Sequence, residues 1–397
     1  MIKLFSKNFK VIIFMIIFMI LIFFFNYEKI ILKYLGINEI NFINFISTSI
    51  LPEKVILTFL KYGVRNNFNI NYIYDIFHND NNKIIIIMPA EFFPPSIKYI
   101  NSNSNSNAEF KLHICHHMHT FIYELFIETE YKKNIQLLIN DKVNNIKVNK
   151  YPEYKDEIIM STIVLNEDNY IRQWINFHIN IGVKRFIIYD NSKINDSKSY
   201  KSVEKSSDLK NVLSDFIKKG VVLLIKWTYP YRLTISGISG QTTQQNHSIY
   251  AFKNSKYIGF FDIDEYINIQ NNTNINSLFD SLIKSKKINT NKIGSFTLYN
   301  KFFCNPNNLS TKNYDFLKIF TCKKISKIFN PSKGFVLPKN VNSYSVHHIT
   351  NGKEMYYTDP KDIYFNHYYF LNKATRGRDR SNLQDKTILK HCKFIKF

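Results

Sequence analysis

Between residues 157 and 267 the chain alternates apolar strand-like segments with helical segments, and this alternation constrains the fold most. The apolar segments are EIIMSTIVL at 157–165, KRFIIYDN at 184–191, VVLLIKW at 221–227 and YIGFFDID at 257–264. Helical segments at 166–182, 206–220 and 241–256 separate them, and glycine ends the first two. Strands that are apolar on both faces and alternate with helices predict a parallel sheet covered on both sides.

Polar side chains follow three of these strands at their carboxyl ends. They are Asn166 and Glu167, then Asp190 and Asn191, then Asp262, Asp264 and Glu265. Ligands of open α/β sheets gather at this edge. Two aspartates separated by one residue can reach one hard divalent cation, which would neutralise charge on a leaving diphosphate. The alternative is a solvated acidic turn, since D-x-D alone is a frequent pattern, but the preceding alternation favours a site.

Two stretches resemble the GT-A glycosyltransferases of family 92 and the related family-2-like group. They are IVLNEDNYIRQWINFHINIGVKRFIIYDNS at 163–192 and QNHSIYAFKNSKYIGFFDIDEYI at 245–267. The resemblance spans about residues 85 to 380, and four motifs coincide in order and spacing. It implies a GT-A fold, Rossmann-like, with a mostly parallel sheet and helices on both faces. It also implies transfer of a sugar from a UDP-sugar, such as UDP-galactose, to a hydroxyl of a glycan, with Mn²⁺ or Mg²⁺ as cofactor.

The resemblance assigns roles to individual residues. Asp262 and Asp264 match the metal-binding D-x-D, and His347 matches a histidine that joins the metal or the diphosphate. A neutral imidazole suits Mn²⁺, although a lone histidine in VHHI is equally compatible with an ordinary strand residue. The implied nucleotide-sugar contacts are Asn166, Glu167, Asp190, Asn191, Gln244, Asn246, His367, Lys373 and Arg376. Near the last three, the family's K-S-x-E-E segment is missing, which weakens any assignment of acceptor contacts.

An inverting reaction also requires a carboxylate base near the acceptor hydroxyl. Glu265 is one candidate for this base. Alternatively, Glu265 orients the ligands around the metal or orients the acceptor. Asp362 and Asp359 are the other candidates. The sequence does not choose among them, and retention of configuration stays open.

The N-terminus predicts a membrane anchor. The basic segment 1–10 precedes the uninterrupted apolar run VIIFMIIFMILIFFF at 11–25. No small residues end that run, which favours an uncleaved signal anchor over a cleaved signal peptide. We therefore expect a single-pass type II protein of a secretory-pathway (ER or Golgi-type) membrane with a lumenal catalytic domain. The predicted parts are a cytosolic tail at 1–10, an anchor at 11–27, a stem at 28–82, a small β-rich subdomain at 83–150 and the GT-A domain at 151–397.

The formal charge of +22 raises the alternative of a basic, membrane-associated nucleic-acid-binding protein. Its lysines are scattered, with no run of five or six basic residues, and carboxylates at the strand ends would repel phosphates. We therefore expect a sugar donor, a glycan acceptor and a membrane as partners, and no nucleic acid. A noncatalytic glycan-binding protein on the same fold is the second alternative, which the intact D-x-D opposes.

Two smaller clusters allow more than one interpretation. Cys304 and Cys322 form a disulfide in an oxidising lumen or remain two buried thiols. His113, Cys115, His117 and His119 alternate along a predicted strand. Ligands on one strand lie too far apart to close a tetrahedral metal site, so a structural cluster is the favoured interpretation.

Overall fold

The structure is a computed structural model that describes most of the chain after residue 72. The described residues are 73–80, 83–89, 97–100, 110–114, 120–126, 133–139, 142–165, 167–192, 208–227, 239–271, 274–303, 321–322, 332–368 and 383–392. All of them belong to one compact unit, Asn66–Phe397. Within these ranges no helix has both the length and the apolar character needed to cross a membrane. The predicted tail and anchor, and residues 28–72 of the predicted stem, lie outside them.

Strands predominate over helices in the described part of the chain. Strands β1–β8 are Asp75–Asp80, Lys83–Pro89, Ile97–Ile100, Phe110–Ile114, Thr120–Phe126, Asn134–Ile139, Lys142–Lys147 and Asn149–Lys150. Strands β9–β15 are Ile158–Val164, Arg185–Asp190, Val222–Lys226, Tyr257–Phe260, Glu265–Ile269, Ile293–Leu298 and Asn300–Phe303. Strands β16–β22 are Thr321–Cys322, Lys333–Val336, Val341–Ser345, His348–Gly352, Glu354–Tyr357, Ile363–Tyr368 and Leu383–Gln384. Helices α1–α5 are Asp168–Asn180, Leu209–Val212, Ser214–Lys218, Ser239–Ala251 and Ile275–Ser285, and two 3₁₀ helices are Pro338–Asn340 and Thr387–His391.

The central sheet has seven strands in the order β11-β10-β9-β12-β17-β14-β20. Its first four strands run parallel, as the alternation at 157–264 predicted. Strand β17 then enters antiparallel to both β12 and β14, and β20 runs parallel to β14. The prediction of an α/β protein is confirmed, but the central sheet is mixed.

The remaining sheets correct the description "mostly parallel" further. Their orders are β4-β5-β2-β1-β8, β13-β21-β15-β16-β22, β3-β6-β7 and β18-β19. Most of their pairings are antiparallel. Several of these strands follow each other after short connections, which return the chain alongside itself, whereas a parallel pair needs a long crossover. The apolar alternation that predicts crossovers is confined to 157–264.

Successive residues of β9 face two different cores, because side chains alternate across a strand. Met160 lies in the core that contains Trp174 of α1. Ile159 lies in the core that contains Tyr250 of α4 and Phe77 of β1. Helices therefore cover both faces of the central sheet, as predicted, and the N-terminal strands complete the second face.

The two smaller clusters stay predictions. Of the alternating cluster, Cys115, His117 and His119 lie outside the described residues, and the structure describes only the backbone of His113. Cys304 also lies outside them, so a bond to Cys322 is untested.

Candidate functional site

Strand β9 lies between β10 and β12, all three run parallel, and the chain order reverses at β9. Crevices at such reversal points are the usual ligand sites of open α/β sheets. Glu167 follows β9 at this edge, and Asp262 and Asp264 follow β12. Burial raises the pKa of Glu167 well above its usual range, and the nearby charges of Asp264 and Asp262 raise it further. The three carboxyl groups therefore lie close enough for their charges to interact at this edge of the sheet, and we call this edge the cleft.

Glu265 holds the turn that presents the two aspartates. Its Oε2 accepts a hydrogen bond of 2.9 Å from the Asp262 amide, and its own amide donates to the Asp262 carbonyl at 3.0 Å. The indole Nε1 of Trp174 donates to the Glu265 carbonyl at 2.9 Å. The Glu265 side chain is only 2% exposed, whereas 43% of the Asp262 side chain remains exposed. Glu265 is thus placed to orient the turn, and Asp262 to meet a ligand.

Lys333 is a component of the cleft that sequence reasoning missed. It begins β17, and its Nζ lies 2.9 Å from Asp262 Oδ2 and 3.7 Å from Glu265 Oε2. Burial alone would raise the pKa of Asp262, but the ammonium of Lys333, with smaller contributions from the charges of His367 and His347, outweighs burial and the pKa is lowered. The same ammonium opposes burial at Glu265, whose pKa is nevertheless raised to about 7. Gln241, also missed, donates from Nε2 to Asp262 Oδ1 at 3.2 Å.

Two predicted histidines lie at this site with different charges. Burial alone would lower the pKa of His367, but Asp264 at 3.4 Å, then Glu265 and Asp262, raise it to about 9. The environment of His347 has the opposite effect: desolvation and the charge of Lys333 lower its pKa to about 4. At neutral pH His367 is a cation. His347 is then a neutral imidazole, the form that binds a metal.

Four other predicted donor contacts make hydrogen bonds within the protein. Asp190 Oδ1 accepts from the amide and hydroxyl of Ser192. Asn191 is buried and donates to the Trp227 carbonyl at 2.7 Å. Gln244 donates to the Ser161 hydroxyl at 2.7 Å, and Asn246 donates to the Tyr344 carbonyl while accepting from the Tyr344 amide. These bonds fix strand ends and α4, and the last three side chains are too buried to offer a surface to a ligand.

Asp362 is not brought to the cleft. Strand β21 pairs antiparallel with β13, with Glu265 opposite His367 and Ile269 opposite Ile363. Asp362 is opposite Gln270, at the other end of the strand pair. It therefore lies roughly 17 Å along the strands from Glu265 at the usual rise per residue. Asp359, which accepts the Asp362 amide, shares that end. Asn166, Lys373 and Arg376 lie outside the described residues.

The donor set at the cleft bears on the predicted cation. Among the described residues no group of three or more His, Cys, Asp or Glu side chains is arranged to hold a metal ion. Mg²⁺-type sites, however, are commonly built from one or two carboxylates together with substrate phosphates and water. Asp262 and Asp264 supply carboxylates of that kind, and His347 lies close enough to Asp262 for the charge of each group to shift the pKa of the other. The residues present fit a cation site that a phosphate ligand completes.

Comparison with known proteins identifies the family. The model of glycosyltransferase family 92 matches residues 158–392. A family 92 protein of Ricinus communis is 21% identical over 225 residues, which cover 55% of this chain and 36% of the relative. A family 92 protein of Arabidopsis thaliana is 28% identical over 122 residues, 30% of this chain and 18% of the relative. The chain thus spans well under two thirds of these relatives. Since the family model covers more than half of the chain, this protein belongs to glycosyltransferase family 92.

Proposed function

We propose that this protein is a metal-dependent glycosyltransferase of the GT-A type, transferring a sugar from a nucleotide sugar to a hydroxyl of a glycan. The observation that carries the proposal is the convergence of Glu167, Asp262 and Asp264 at the reversal point of the central sheet. Family membership supports the reaction class. A UDP-sugar such as UDP-galactose is the donor we propose.

Within this proposal Asp262 and Asp264 hold the divalent cation, Mn²⁺ or Mg²⁺. The cation supplies positive charge next to the leaving diphosphate. Protonated His367 adds a second positive charge beside Asp264, and neutral His347 is available as a nitrogen ligand. Glu265, held by the Asp262 amide, keeps the two aspartates in register.

The experiment is a panel of nucleotide sugars, including UDP-galactose, incubated with the full-length protein, with and without Mn²⁺ or Mg²⁺. We expect hydrolysis of, or transfer from, one UDP-sugar only when a cation is present. Asp264→Asn should abolish that turnover, because it removes a carboxylate charge from the proposed cation site. Asp280→Asn is the matched control, since Asp280 is exposed on α5 and pairs only with Lys256 among the ion pairs described.

Full cation-dependent turnover by Asp264→Asn would show that the site is wrongly assigned. Absence of turnover with every sugar donor, combined with cation-independent glycan binding, would favour the noncatalytic alternative. Salt-dependent retention of nucleic acid by the protein would favour the alternative of a basic nucleic-acid-binding protein.

We also propose that residues 11–27 anchor the protein in a secretory-pathway membrane with the catalytic domain in the lumen. The support is the apolar run at 11–25 and the lysines before it. A tag at each end, tested by protease protection in microsomes, checks the orientation. Digestion of the C-terminal tag in intact vesicles would contradict it.

A further inference from the structure

Lys333 is a lysine buried within the carboxylate cleft, with a side chain only 3% exposed. Lysine is almost never buried this far unless its ammonium is paired, because the charge is costly to remove from water. Its partners include Asp262, at 2.9 Å, and Glu265, at 3.7 Å. The ammonium therefore contacts the carboxylate of Asp262, to which a divalent cation would have to bind.

The backbone of Lys333 is held in place by the central sheet. Strand β17 is hydrogen-bonded to β12 on one side and β14 on the other. Gly334, the next residue, approaches β14 so closely that a Cβ there would lie 2.6 Å from the carbonyl oxygen of Phe296. Unlike a lysine on a surface loop, Lys333 has an anchored backbone and only its side-chain torsions are available for movement.

We propose that Lys333 couples cation binding to the binding of the nucleotide-sugar donor. When no nucleotide sugar is bound, its ammonium pairs with Asp262. When a divalent cation binds Asp262, the ammonium turns to the diphosphate of the nucleotide sugar. This inference rests on the proposed function and assigns Lys333 a positioning role within it. An ammonium and a divalent cation compete for the same carboxylate, and their like charges repel at short range. A diphosphate removes that conflict, because its oxygens attract both positive charges.

The coupling has a signature that a purely structural lysine would not produce. Lys333→Met keeps the length of the aliphatic stem and removes the charge. We expect this variant to bind Mn²⁺ alone more tightly than the wild type, because the competitor for Asp262 is gone. We expect it to bind UDP in the presence of Mn²⁺ about tenfold more weakly, within the usual range of coupling between ligands. Lys333→Arg should restore most of the UDP affinity.

The measurement is calorimetric titration of the full-length protein with Mn²⁺ alone, and with UDP at saturating Mn²⁺. Lys301→Met is the matched control. Lys301 is also a largely buried lysine in an ion pair, with its Nζ 2.5 Å from Asp385, but it belongs to the neighbouring sheet. Both affinities should be unchanged in this control. If Lys333→Met fails to fold, Lys333→Gln is measured in the same way, with the same expected directions.

Unchanged UDP affinity in the neutral variant, or weaker binding of Mn²⁺ alone, would overturn the inference while leaving the proposed function intact. A wild-type protein that binds neither UDP nor any other nucleoside diphosphate with either cation would overturn both. A loss of both affinities that Lys333→Arg does not rescue would show a structural role for Lys333 and would also overturn the inference.

Discussion

His178 of α1 is fully buried behind β13, the strand that follows the two aspartates. Its Nδ1 lies 2.8 Å from the Trp174 carbonyl, and the Ile267 amide approaches Nε2 at 3.4 Å. A carbonyl requires a donor and an amide requires an acceptor, so the imidazole is neutral with its proton on Nδ1. Burial lowers the pKa of His178 to about 3, although the bond to Trp174 opposes the shift.

This depressed pKa predicts acid destabilisation. As the pH falls from about 6.5 towards 3, the unfolded chain takes up a proton on His178 that the folded chain does not, so the free energy of unfolding decreases. The contribution of one such proton is about 1.4 kcal/mol per pH unit within this window. Denaturant unfolding measured between about pH 7 and pH 5 checks the slope.

His178→Gln separates this effect from general acid sensitivity. The variant should be less stable at neutral pH, because glutamine cannot reproduce both hydrogen bonds in the same space, but its slope should be shallower by one proton. A slope equal to that of the wild type would show that His178 does not titrate with a lowered pKa.

The sequence predicts some site residues and not others, for identifiable reasons. Asp262, Asp264 and Glu167 could be anticipated because each follows an apolar strand of one parallel set, whose ends share an edge. Lys333 could not, because it lies 71 residues after Asp262 in a lysine-rich chain. Only the antiparallel pairing of β17 with β12, which local periodicity does not encode, brings the two together. The position of Asp362 could not be anticipated for the same reason, because the β13–β21 register places it far from Glu265.

At the scale of elements, α4 is unusual because it is buried although its residues are mostly polar. A helix that is polar on all sides is normally exposed to solvent. Here the polar side chains find partners in the sheets on either side: Gln244 bonds to Ser161, Thr243 to Thr120 and His247 to Asp75. The sequence predicts the helix, but its burial depends on strands far away in the chain, so sequence periodicity could not predict it.

Asp75 is the polar anchor of α4, and its removal should destabilise the protein. Its carboxylate meets His247 Nε2 at 2.8 Å, the Tyr151 hydroxyl at 2.5 Å and Asn149 Nδ2 at 2.7 Å. Asp75→Ala leaves a buried imidazole without its acceptor, at a cost of about 3 kcal/mol. Denaturant unfolding measures the loss. Asp280→Ala, which breaks an exposed pair with Lys256, should cost less than about 1 kcal/mol.

Strand β17 depends on Gly334 for its close approach to β14. A Cβ at this position would lie 2.6 Å from the Phe296 carbonyl oxygen and 3.2 Å from Thr297 Cα, and backbone atoms cannot rotate away. Gly334→Ala should therefore displace β17, lower the melting temperature and weaken UDP binding through Lys333. Gly220→Ala, where the nearest atom is Arg185 Nη1 at 3.7 Å, tests a glycine needed for its positive φ instead. Gly220→Ala should reduce stability without changing UDP affinity. An equal loss of UDP affinity in both variants would contradict the claim that displacement of β17 weakens UDP binding.

For the molecule as a whole, the N-terminal strands and the central sheet share a hydrophobic core. Phe77, Ile85 and Ile122 from these strands pack in one cluster with Ile159 and Ile258 of the central sheet. A chain that begins at residue 151 would expose these apolar faces and leave α4 without Asp75 and Thr120. We expect that chain not to fold into a soluble monomer, because apolar surface that the N-terminal strands cover would be exposed to water and buried polar groups of α4 would lose their partners.

The control for this truncation is a longer chain that begins at Asn66, the start of the compact unit. It should unfold in a single cooperative transition, with the melting curves of far- and near-ultraviolet circular dichroism coinciding, because the N-terminal strands β1, β2 and β5 share a core with the central sheet and α4. Two separated transitions, or a stable soluble product of residues 151–397 that melts like the longer chain, would show that the N-terminal strands fold independently. A single transition of the longer chain would instead mean that the N-terminal strands help to hold the cleft in place, although they are remote from it. The link is α4, which carries both His247, bonded to Asp75, and Gln241, bonded to Asp262.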